Sequence, residues 1–204
     1  VFDDKMSGPI LPLGARVGGL HSEPAAILGL PEGIAVASGN IDAHVVVAGA
    51  NAVKPGQLTA IMGTSSCYVV NDKELHEVPG TFGVVDGGAV DGAWGYEAGQ
   101  TAVGDIFAWY TENCIPARYE DLAKEKGVSV HELLCELAMQ QKIGEHGLIA
   151  LDWHNGNRSI LSDSRLSGTI MGLTLITKPE EIYRALLEST CFGARVIIEN
   201  FEQY

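Results

Sequence analysis

Short apolar runs separated by turn residues divide the first part of the chain into predicted strands and helices. Residues 34–38 form a continuous apolar run that predicts a buried strand, and the small residues of 43–51 predict a helix directly after it. Residues 58–62 and 67–70 predict the two strands of a hairpin, joined by a turn at 63–66. A Lys-Pro-Gly turn separates these two units and is a plausible domain boundary.

The rest of the chain is predicted to alternate between strands and helices. Two short strands are expected within 83–99, followed by helices at 101–113, 118–126 and 129–142. Residues 148–153 predict a further buried strand. Since hairpin strands are followed by helices and then by another strand, we predict an α/β fold with a mixed β-sheet flanked by helices.

Capping residues indicate where two of the helices begin. Ser22 is predicted to cap a short helix near the start of the chain. Thr177 and Glu180 predict a capping box for the last helix, with Pro179 in its first turn. Four apolar residues of that helix are predicted to share one face: Ile182, Leu186, Ile197 and Phe201.

The composition restricts the partners that the chain can have. Apolar residues make up 46% of the 204 residues, which indicates a globular protein rather than a disordered one. The net charge of -13 argues against non-specific binding to nucleic acid or to an anionic membrane, since both need clustered Lys and Arg. We therefore predict neither a nucleic acid partner nor a membrane partner.

Cysteine spacing and the two ends of the chain give two further expectations. The four cysteines are widely spaced and form no C-x-x-C pair, so we interpret them as reduced thiols of a cytoplasmic protein and predict no metal site. The chain begins at Val1 without Met and ends at Tyr204 within a helical pattern, which predicts an internal part of a longer protein.

Asp42 is the first candidate for chemistry, because it follows a predicted strand and a Gly-Asn turn and opens a helix. Ligands of α/β sheets bind at the carboxyl ends of strands. An ionised carboxylate there can accept the proton of an attacking hydroxyl in phosphoryl transfer. A simple helix cap is the structural alternative, and the pattern alone favours it.

A turn and a polar strand end provide two more candidates. Gly63, Thr64 and Ser65 offer backbone N–H and hydroxyl donors to phosphate oxygens, although an ordinary turn uses the same residues and the Walker A pattern is missing. Glu97 and Gln100 follow a Gly-rich strand pair. Glu97 is a candidate acceptor for sugar hydroxyls, or a carboxylate that favours a helix start.

Two Asp-x-His pairs keep a metal-dependent hydrolase open as a rival class. They are Asp42 with His44, and Asp152 with His154. A metal site needs three or four converging ligands, so structural roles are favoured for both pairs. The polar loop at 152–159 is either part of a site or a loop that satisfies its own turns.

Five segments, taken together and in this order, resemble the central part of bacterial L-ribulokinases within the FGGY family of carbohydrate kinases. They are SGNIDAHVVVAGA (38–50), PGQLTAIMGTSSCYVV (55–70), VVDGGAVDGAWGYEAGQTAVGDIFAW (84–109), HGLIALDWHNGNRS (146–159) and YRALLESTCFGAR (183–195). The resemblance implies part of a ribonuclease H-like, actin-like ATPase fold. By that analogy, residues 1–54 end the sugar-binding N-terminal domain, and residues 57–204 form the larger part of the ATP-binding C-terminal domain.

The resemblance also implies an activity, the ATP- and Mg²⁺-dependent phosphorylation of L-ribulose to L-ribulose 5-phosphate in arabinose breakdown. Asp42 matches the catalytic base of the family, while Asn40 and Glu97 match sugar contacts. The phosphate-binding hairpin matches Gly63, Thr64 and Ser65. The chain alone is expected to be inactive, because other parts of the family's active site are missing from it.

Three other functions remain open. The first is a kinase for another acceptor, such as xylulose, ribitol or glycerol. The second is a non-catalytic module of the same fold, and the third is the hydrolase. A homo-oligomer also stays open, since no heptad or clear interface stripe settles the oligomeric state.

Overall fold

The computed structural model describes residues 11–204 together with Lys5, Gly8 and Pro9; residues 1–4, 6–7 and 10 lie outside this description. The strands of the described part are β1 (Arg16–Gly19), β2 (Ala35–Ala37), β3 (Leu58–Met62), β4 (Ser66–Asp72), β5 (Gly83–Asp86), β6 (Trp94–Gln100), β7 (Ile149–Leu151) and β8 (Thr169–Met171). The helices are α1 (Ser22–Leu28), α2 (Asp42–Gly49), α3 (Gly104–Asn113), α4 (Ala117–Lys126), α5 (Val130–Ala138) and α6 (Pro179–Gln203).

A four-stranded sheet in the order β3-β4-β6-β5 forms the centre of the molecule. Smaller two-stranded sheets pair β1 with β2 and β7 with β8. The predicted α/β fold with flanking helices is confirmed, but every strand pairing within the described residues is antiparallel rather than mixed. Short turns join β3 to β4 and β5 to β6, and they permit only antiparallel pairs, because a parallel pair would need a long crossover connection.

Helices α2 and α6 cover opposite faces of the central sheet. Val47 of α2 packs against Val69 of β4 and Ala89. On the other face, Ile197 of α6 packs against Tyr68 and Ala98. Neighbouring residues of a strand point to opposite faces, so the alternation along β4 and β6 determines which side chains meet which helix.

A larger apolar core joins the three short helices to α6. Its fully buried side chains include Ile106 of α3, Leu133 and Leu134 of α5, and Leu186 of α6. The predicted apolar face of α6 is confirmed, because Leu186 and Ile197 are buried and Ile182 and Phe201 pack against the cores as partly buried residues. None of the helices in the described part has both the length and the apolar character needed to cross a membrane.

Both capping predictions are wrong in detail. Helix α1 begins at Ser22 itself, and no side chain caps it. Helix α6 begins at Pro179, which confirms the proline in its first turn. The carboxylate that accepts the Lys178 N–H, at 2.7 Å, belongs to Glu181 rather than Glu180. The helix therefore starts one residue later than the Thr-x-x-Glu pattern predicts, and Glu180 instead accepts the Tyr119 hydroxyl.

The strand predicted at 34–38 also differs from its prediction. Strand β2 is present, but all three of its residues are exposed. Its partner β1 lies in a Gly-rich stretch that no apolar pattern had indicated. A two-stranded sheet with both faces open leaves such side chains in contact with solvent. An apolar run of this length does not by itself establish burial.

Gly193 of α6 provides a test of the packing between this helix and the central sheet. A Cβ at Gly193 would lie 2.5 Å from Oδ2 of Asp152 and 2.6 Å from Nε2 of Gln100. We expect Gly193→Ala to lower the free energy of unfolding by about 1–3 kcal/mol, since it overpacks a buried contact. Urea denaturation of the 204-residue chain measures this change.

Gly49→Ala is the matched control. Gly49 also lies in a helix, but a Cβ there would meet nothing within 4 Å. Alanine is the better helix former, so the free energy of unfolding should stay unchanged or rise by up to about 1 kcal/mol. Equal effects of the two substitutions would contradict the packing argument.

Candidate functional site

Asp42 is the first residue of α2 and is exposed to solvent. Its Oδ1 accepts the N–H of the next residue, Ala43, at 2.9 Å. The positive end of a helix dipole favours a negative charge at this position. The second carboxylate oxygen is not engaged by a hydrogen bond to any described residue, so this face of the carboxylate is open to a ligand.

The residues two positions before and two positions after Asp42 contact the same backbone carbonyl. Asn40 donates through Nδ2 to the Gly88 oxygen at 2.7 Å, and Nδ1 of His44 lies 3.0 Å from the same oxygen. Asn40 also accepts the Ile41 N–H through its side-chain oxygen. The start of α2 is therefore attached to the loop between β5 and β6 on either side of Asp42.

Glu97 of β6 lies between two cationic or polar donors. Nε2 of His44 is 3.0 Å from its Oε2, and Nη2 of Arg158 donates to its Oε1 at 2.6 Å. The guanidinium carbon of Arg158 lies 4.2 Å from the centre of the Phe82 ring, a cation–π contact. The Glu97 side chain is only 17% exposed, so these partners offset the loss of solvation of its charge.

The hydrogen-bonding pattern around His44 restricts its form. Both ring nitrogens face acceptors, namely a carbonyl at Gly88 and a carboxylate at Glu97. A neutral imidazole has one N–H and can satisfy one of them, whereas the imidazolium satisfies both. The ring is thus held between the loop that carries Gly88 and strand β6.

Cys67 of β4 adjoins this group and is affected by its charges. Burial raises the pKa of the Cys67 thiol to about 12, and the charge of Glu97 and a hydrogen bond to it act in the same direction. Arg158 opposes the increase, and Asp42 contributes to it. Cys67 is therefore a protonated thiol at neutral pH.

The hairpin turn at Gly63, Thr64 and Ser65 rests on the start of α3. Gly104 donates its N–H to the Gly63 oxygen at 3.0 Å, and Val103 donates to the Thr64 oxygen at 2.8 Å. Gly63 and Thr64 are exposed. Among the described residues, the N–H groups of Thr64 and Ser65 have no backbone acceptor, which leaves two donors at the tip of the turn.

Gln100 belongs to a different group of side chains from Glu97. It accepts the Tyr68 hydroxyl at 2.6 Å and donates to Oδ2 of Asp152 at 2.6 Å and to the Thr190 oxygen at 2.9 Å. Glu97 and Gln100 are three positions apart on one strand, an odd number, so they point to opposite faces of the sheet. Gln100 therefore joins the sheet to α6, beside a cavity of about 320 Å³.

A comparison with models of known families identifies the family of the chain. The family model "FGGY family of carbohydrate kinases, C-terminal domain" matches residues 58–204, which is well over half of the sequence. The chain belongs to the FGGY family of carbohydrate kinases. The matched region begins at β3 and includes the hairpin turn, Glu97 and Arg158.

Several FGGY relatives are named ribulokinases. The chain is 58% identical to the ribulokinase of Mycolicibacterium smegmatis over 98% of its own length and 36% of that protein. It is 55% identical to the ribulokinase of Geobacillus thermodenitrificans over 98% of its own length and 35% of that protein. The chain thus spans about a third of the length of the relatives it matches.

Solved FGGY structures share the fold. The crystal structure of xylulose kinase from Rhodospirillum rubrum matches 96% of the chain and 37% of that protein, with a TM-score of 0.74 and 26% identity. A glycerol kinase structure from Plasmodium falciparum with ADP matches 94% of the chain and 36% of that protein, with a TM-score of 0.64 and 18% identity. The second match supports the fold alone.

The FGGY structure brings some of the predicted site residues together. Asn40 and Glu97 are linked through His44 and Gly88, and Asp42 lies between the two anchoring residues of α2. The hairpin turn contacts the start of α3 and leads into β4, the strand that carries Cys67. Its role in binding phosphate stays a prediction, as do the roles of the other site residues.

The two Asp-x-His pairs have other partners. His44 faces Gly88 and Glu97, and the ring of His154 lies 5.2 Å from that of Trp109. The described part of the chain contains no group of three or more His, Cys, Asp and Glu residues that could hold a metal ion. This arrangement gives no support to the metal-dependent hydrolase.

Two residues of the site, Arg158 and Phe82, were not singled out by the sequence. Arg158 is one residue of a polar loop, 61 positions from Glu97. Phe82 follows a Pro-Gly turn and reads as an ordinary strand residue. The only sequence signal was the density of polar residues at 152–159, which suggested a site loop without indicating which side chain would matter.

Asp152 gives a pH-dependent test of the group around Gln100. Burial raises the pKa of the Asp152 carboxyl, and the hydrogen bond from Gln100 and the nearby His154 oppose this only in part. An acid with a raised pKa binds its proton more tightly in the folded state than in the unfolded state. The free energy of unfolding should therefore fall as pH rises from the ordinary Asp pKa of about 3.9 through the raised value.

Denaturation of the wild type and of Asp152→Asn from about pH 4 to about pH 8 measures this effect. The wild type should lose stability relative to the variant as pH rises. Asp163→Asn is the control with the opposite sign and is measured down to about pH 2, because hydrogen bonds from Arg165 lower the pKa of Asp163 and its contribution to stability is lost below the ordinary Asp value of about 3.9. A constant difference between the wild type and Asp152→Asn would contradict the raised pKa.

Proposed function

We propose that this chain is the central part of an ATP-dependent kinase that converts L-ribulose to L-ribulose 5-phosphate. The observation that carries the proposal is 58% identity to a ribulokinase across 98% of the chain. Because the chain spans 36% of that relative, the remaining contacts to sugar and ATP are assigned to other parts of the complete enzyme. The four free cysteines fit a cytoplasmic enzyme.

The proposed domain division follows the matched region and the turn before β3. Residues 1–54 would end the sugar-binding domain, and residues 57–204 would form the larger part of the ATP-binding domain. The family model begins at residue 58, which supports this boundary. The contacts of Asn40 and His44 with Gly88 then cross between the two domains.

Asp42 is proposed as the general base. Its free carboxylate oxygen would accept the proton of the 5-hydroxyl of the sugar as that oxygen attacks the γ-phosphorus of ATP. A new O–P bond forms, the bond from the γ-phosphorus to the β–γ bridging oxygen breaks, and ADP leaves. An exposed carboxylate at the start of a helix can bind the hydroxyl without rearrangement of the backbone.

The turn at Gly63, Thr64 and Ser65 is proposed to hold the phosphate that is transferred. Its unpaired N–H groups and its hydroxyls are donors of the kind that bind phosphate oxygens. Mg²⁺, which usually keeps phosphate oxygens and water as ligands, would neutralise charge on the phosphates. We assign it no ligand from this chain, because the described residues form no metal-binding group.

Glu97 and Asn40 are proposed to bind hydroxyls of the sugar. The oxygens of Glu97 are contacted by His44 and by Arg158, and the Cys67 thiol hydrogen-bonds to the same carboxylate. A carboxylate has about four acceptor sites, so at least one is left for a hydroxyl of the sugar. Asn40 uses one N–H for Gly88 and has another available. The carboxylate would thus accept hydrogen bonds from hydroxyls of the sugar, close to the base at Asp42.

A panel of acceptors tests the proposed reaction in the complete kinase that contains this chain. ADP release is measured with L-ribulose, D-ribulose, D-xylulose, ribitol and glycerol. L-Ribulose should give the highest kcat/KM. Asp42→Asn should lower kcat by about 10²-fold or more while ATP still binds, because it removes the base and keeps the size of the side chain.

Asp121→Ala is the matched control, since Asp121 is an exposed aspartate on α4. It should leave kcat within about twofold of the wild type. Turnover only with D-xylulose or a polyol would keep the kinase and change its substrate. No acceptor-dependent turnover would favour a non-catalytic module, and full activity in Asp42→Asn would remove Asp42 as the base.

The isolated 204-residue chain should show no kinase activity. Phosphoryl transfer requires both substrates to be held in line, and the chain supplies about a third of the length of its relatives. ADP release with and without L-ribulose measures this, after circular dichroism has established that the chain is folded. Acceptor-dependent ADP release at a rate near that of the complete kinase would contradict the expectation.

A further inference from the structure

Three separate parts of the chain converge on the carboxylate of Glu97. His44 reaches it from α2, Arg158 reaches it from the loop after β7, and Phe82 stacks on Arg158 from the start of β5. The N–H of Phe82 also donates to the backbone oxygen of Glu97 at 2.7 Å. Backbone and side-chain contacts thus fix both the strand and the carboxylate at this position.

His44 connects this carboxylate to the position of Asp42. It lies two residues after Asp42, in the first turn of the same helix. One ring nitrogen contacts Gly88, which also binds Asn40 on the other side of Asp42. The other ring nitrogen contacts Glu97. The imidazole is therefore a short rigid spacer between the helix that carries the base and the carboxylate proposed to bind the sugar.

We propose that His44 is a positioning residue, which acts through Glu97 to hold the sugar at the correct place for Asp42. Arg158 holds the second oxygen of the same carboxylate. This inference rests on the proposed function, because it takes Glu97 as a sugar contact. Neither His44 nor Arg158 needs to touch the sugar for this role, so their substitution should act on sugar use and leave ATP use unchanged.

Substitutions at His44 and Glu97, alone and combined, test the proposal in the complete kinase. His44→Ala should lower kcat/KM for the sugar by about 10- to 100-fold, since a small displacement of a substrate costs that much. KM for ATP should stay within about twofold of the wild type. His44→Gln should recover much of the loss, because its amide can still donate to Glu97.

The double variant shows whether His44 acts through Glu97. If it does, adding His44→Ala to Glu97→Ala should change kcat/KM for the sugar by less than about twofold. Independent effects, which multiply in the double variant, would overturn the proposal. Arg158→Ala should lower kcat/KM for the sugar and leave KM for ATP unchanged, as His44→Ala does. A change in KM for ATP alone would also overturn the proposal.

One further control variant and the outcomes at Glu97 and His44 separate this inference from the proposed function. His76→Gln, at a partly exposed histidine that lies 3.9 Å from Asp72, should leave both KM values unchanged. If Glu97→Ala has no effect on the sugar, the sugar-binding role of Glu97 fails, and the positioning role of His44 fails with it. If Glu97→Ala impairs sugar use and both His44 variants do not, only the positioning role fails. Thermal unfolding of every variant establishes that each is folded.

Discussion

The pairing of β4 with β6 is the constraint on which the arrangement of the molecule depends. Seven consecutive residue pairs join the two strands without a shift in register, from Ser66 with Gln100 to Asp72 with Trp94. Because side chains alternate between faces, this register directs Cys67 and Glu97 toward α2. It directs Tyr68 and Gln100 toward α6. A shift by one residue would exchange the two sets and remove both groups of polar contacts.

The two faces use buried polar groups in different ways. On the α6 face, Gln100 binds Tyr68, Asp152 and Thr190, which makes it a structural connection between layers. On the α2 face, His44, Arg158 and Cys67 offset the loss of solvation of the Glu97 charge. The acceptor site that these partners leave on the carboxylate is the one proposed to bind the sugar.

Local patterns predicted most of the secondary structure, because strand alternation and turn residues act over a few positions. Strand β3 was predicted at its observed bounds, and the hairpin turn and α2 were also found near their predicted positions. The prediction failed where the burial or the start of an element depends on residues that are distant in the sequence. The exposure of β2 depends on what covers it, and the start of α6 depends on Glu180 binding Tyr119 instead of the helix end.

The candidate site shows the same division between local and distant information. The strand, turn and helix context made Asp42 a candidate, although that pattern alone favoured a helix cap. The role of Arg158 could not be predicted in this way, because its contact with Glu97 joins positions 61 residues apart. The resemblance to a known family supplied roles for Asn40, Glu97 and the hairpin, but it did not indicate that His44 would connect them. That connection depends on the sheet register and on the loop that presents Gly88.

The fold does not determine which acceptor is phosphorylated, since one fold can host several functions. Proteins named as xylulose and glycerol kinases share this fold, so the choice of sugar has to come from side chains that touch it. Within the described residues, the carboxylate best suited to that contact is held from two sides by residues of other segments. Under the proposed roles, acceptor preference would change through His44 or Arg158 while Asp42 and the hairpin turn stay as they are. A kinase built in this way can alter its substrate without altering its chemistry.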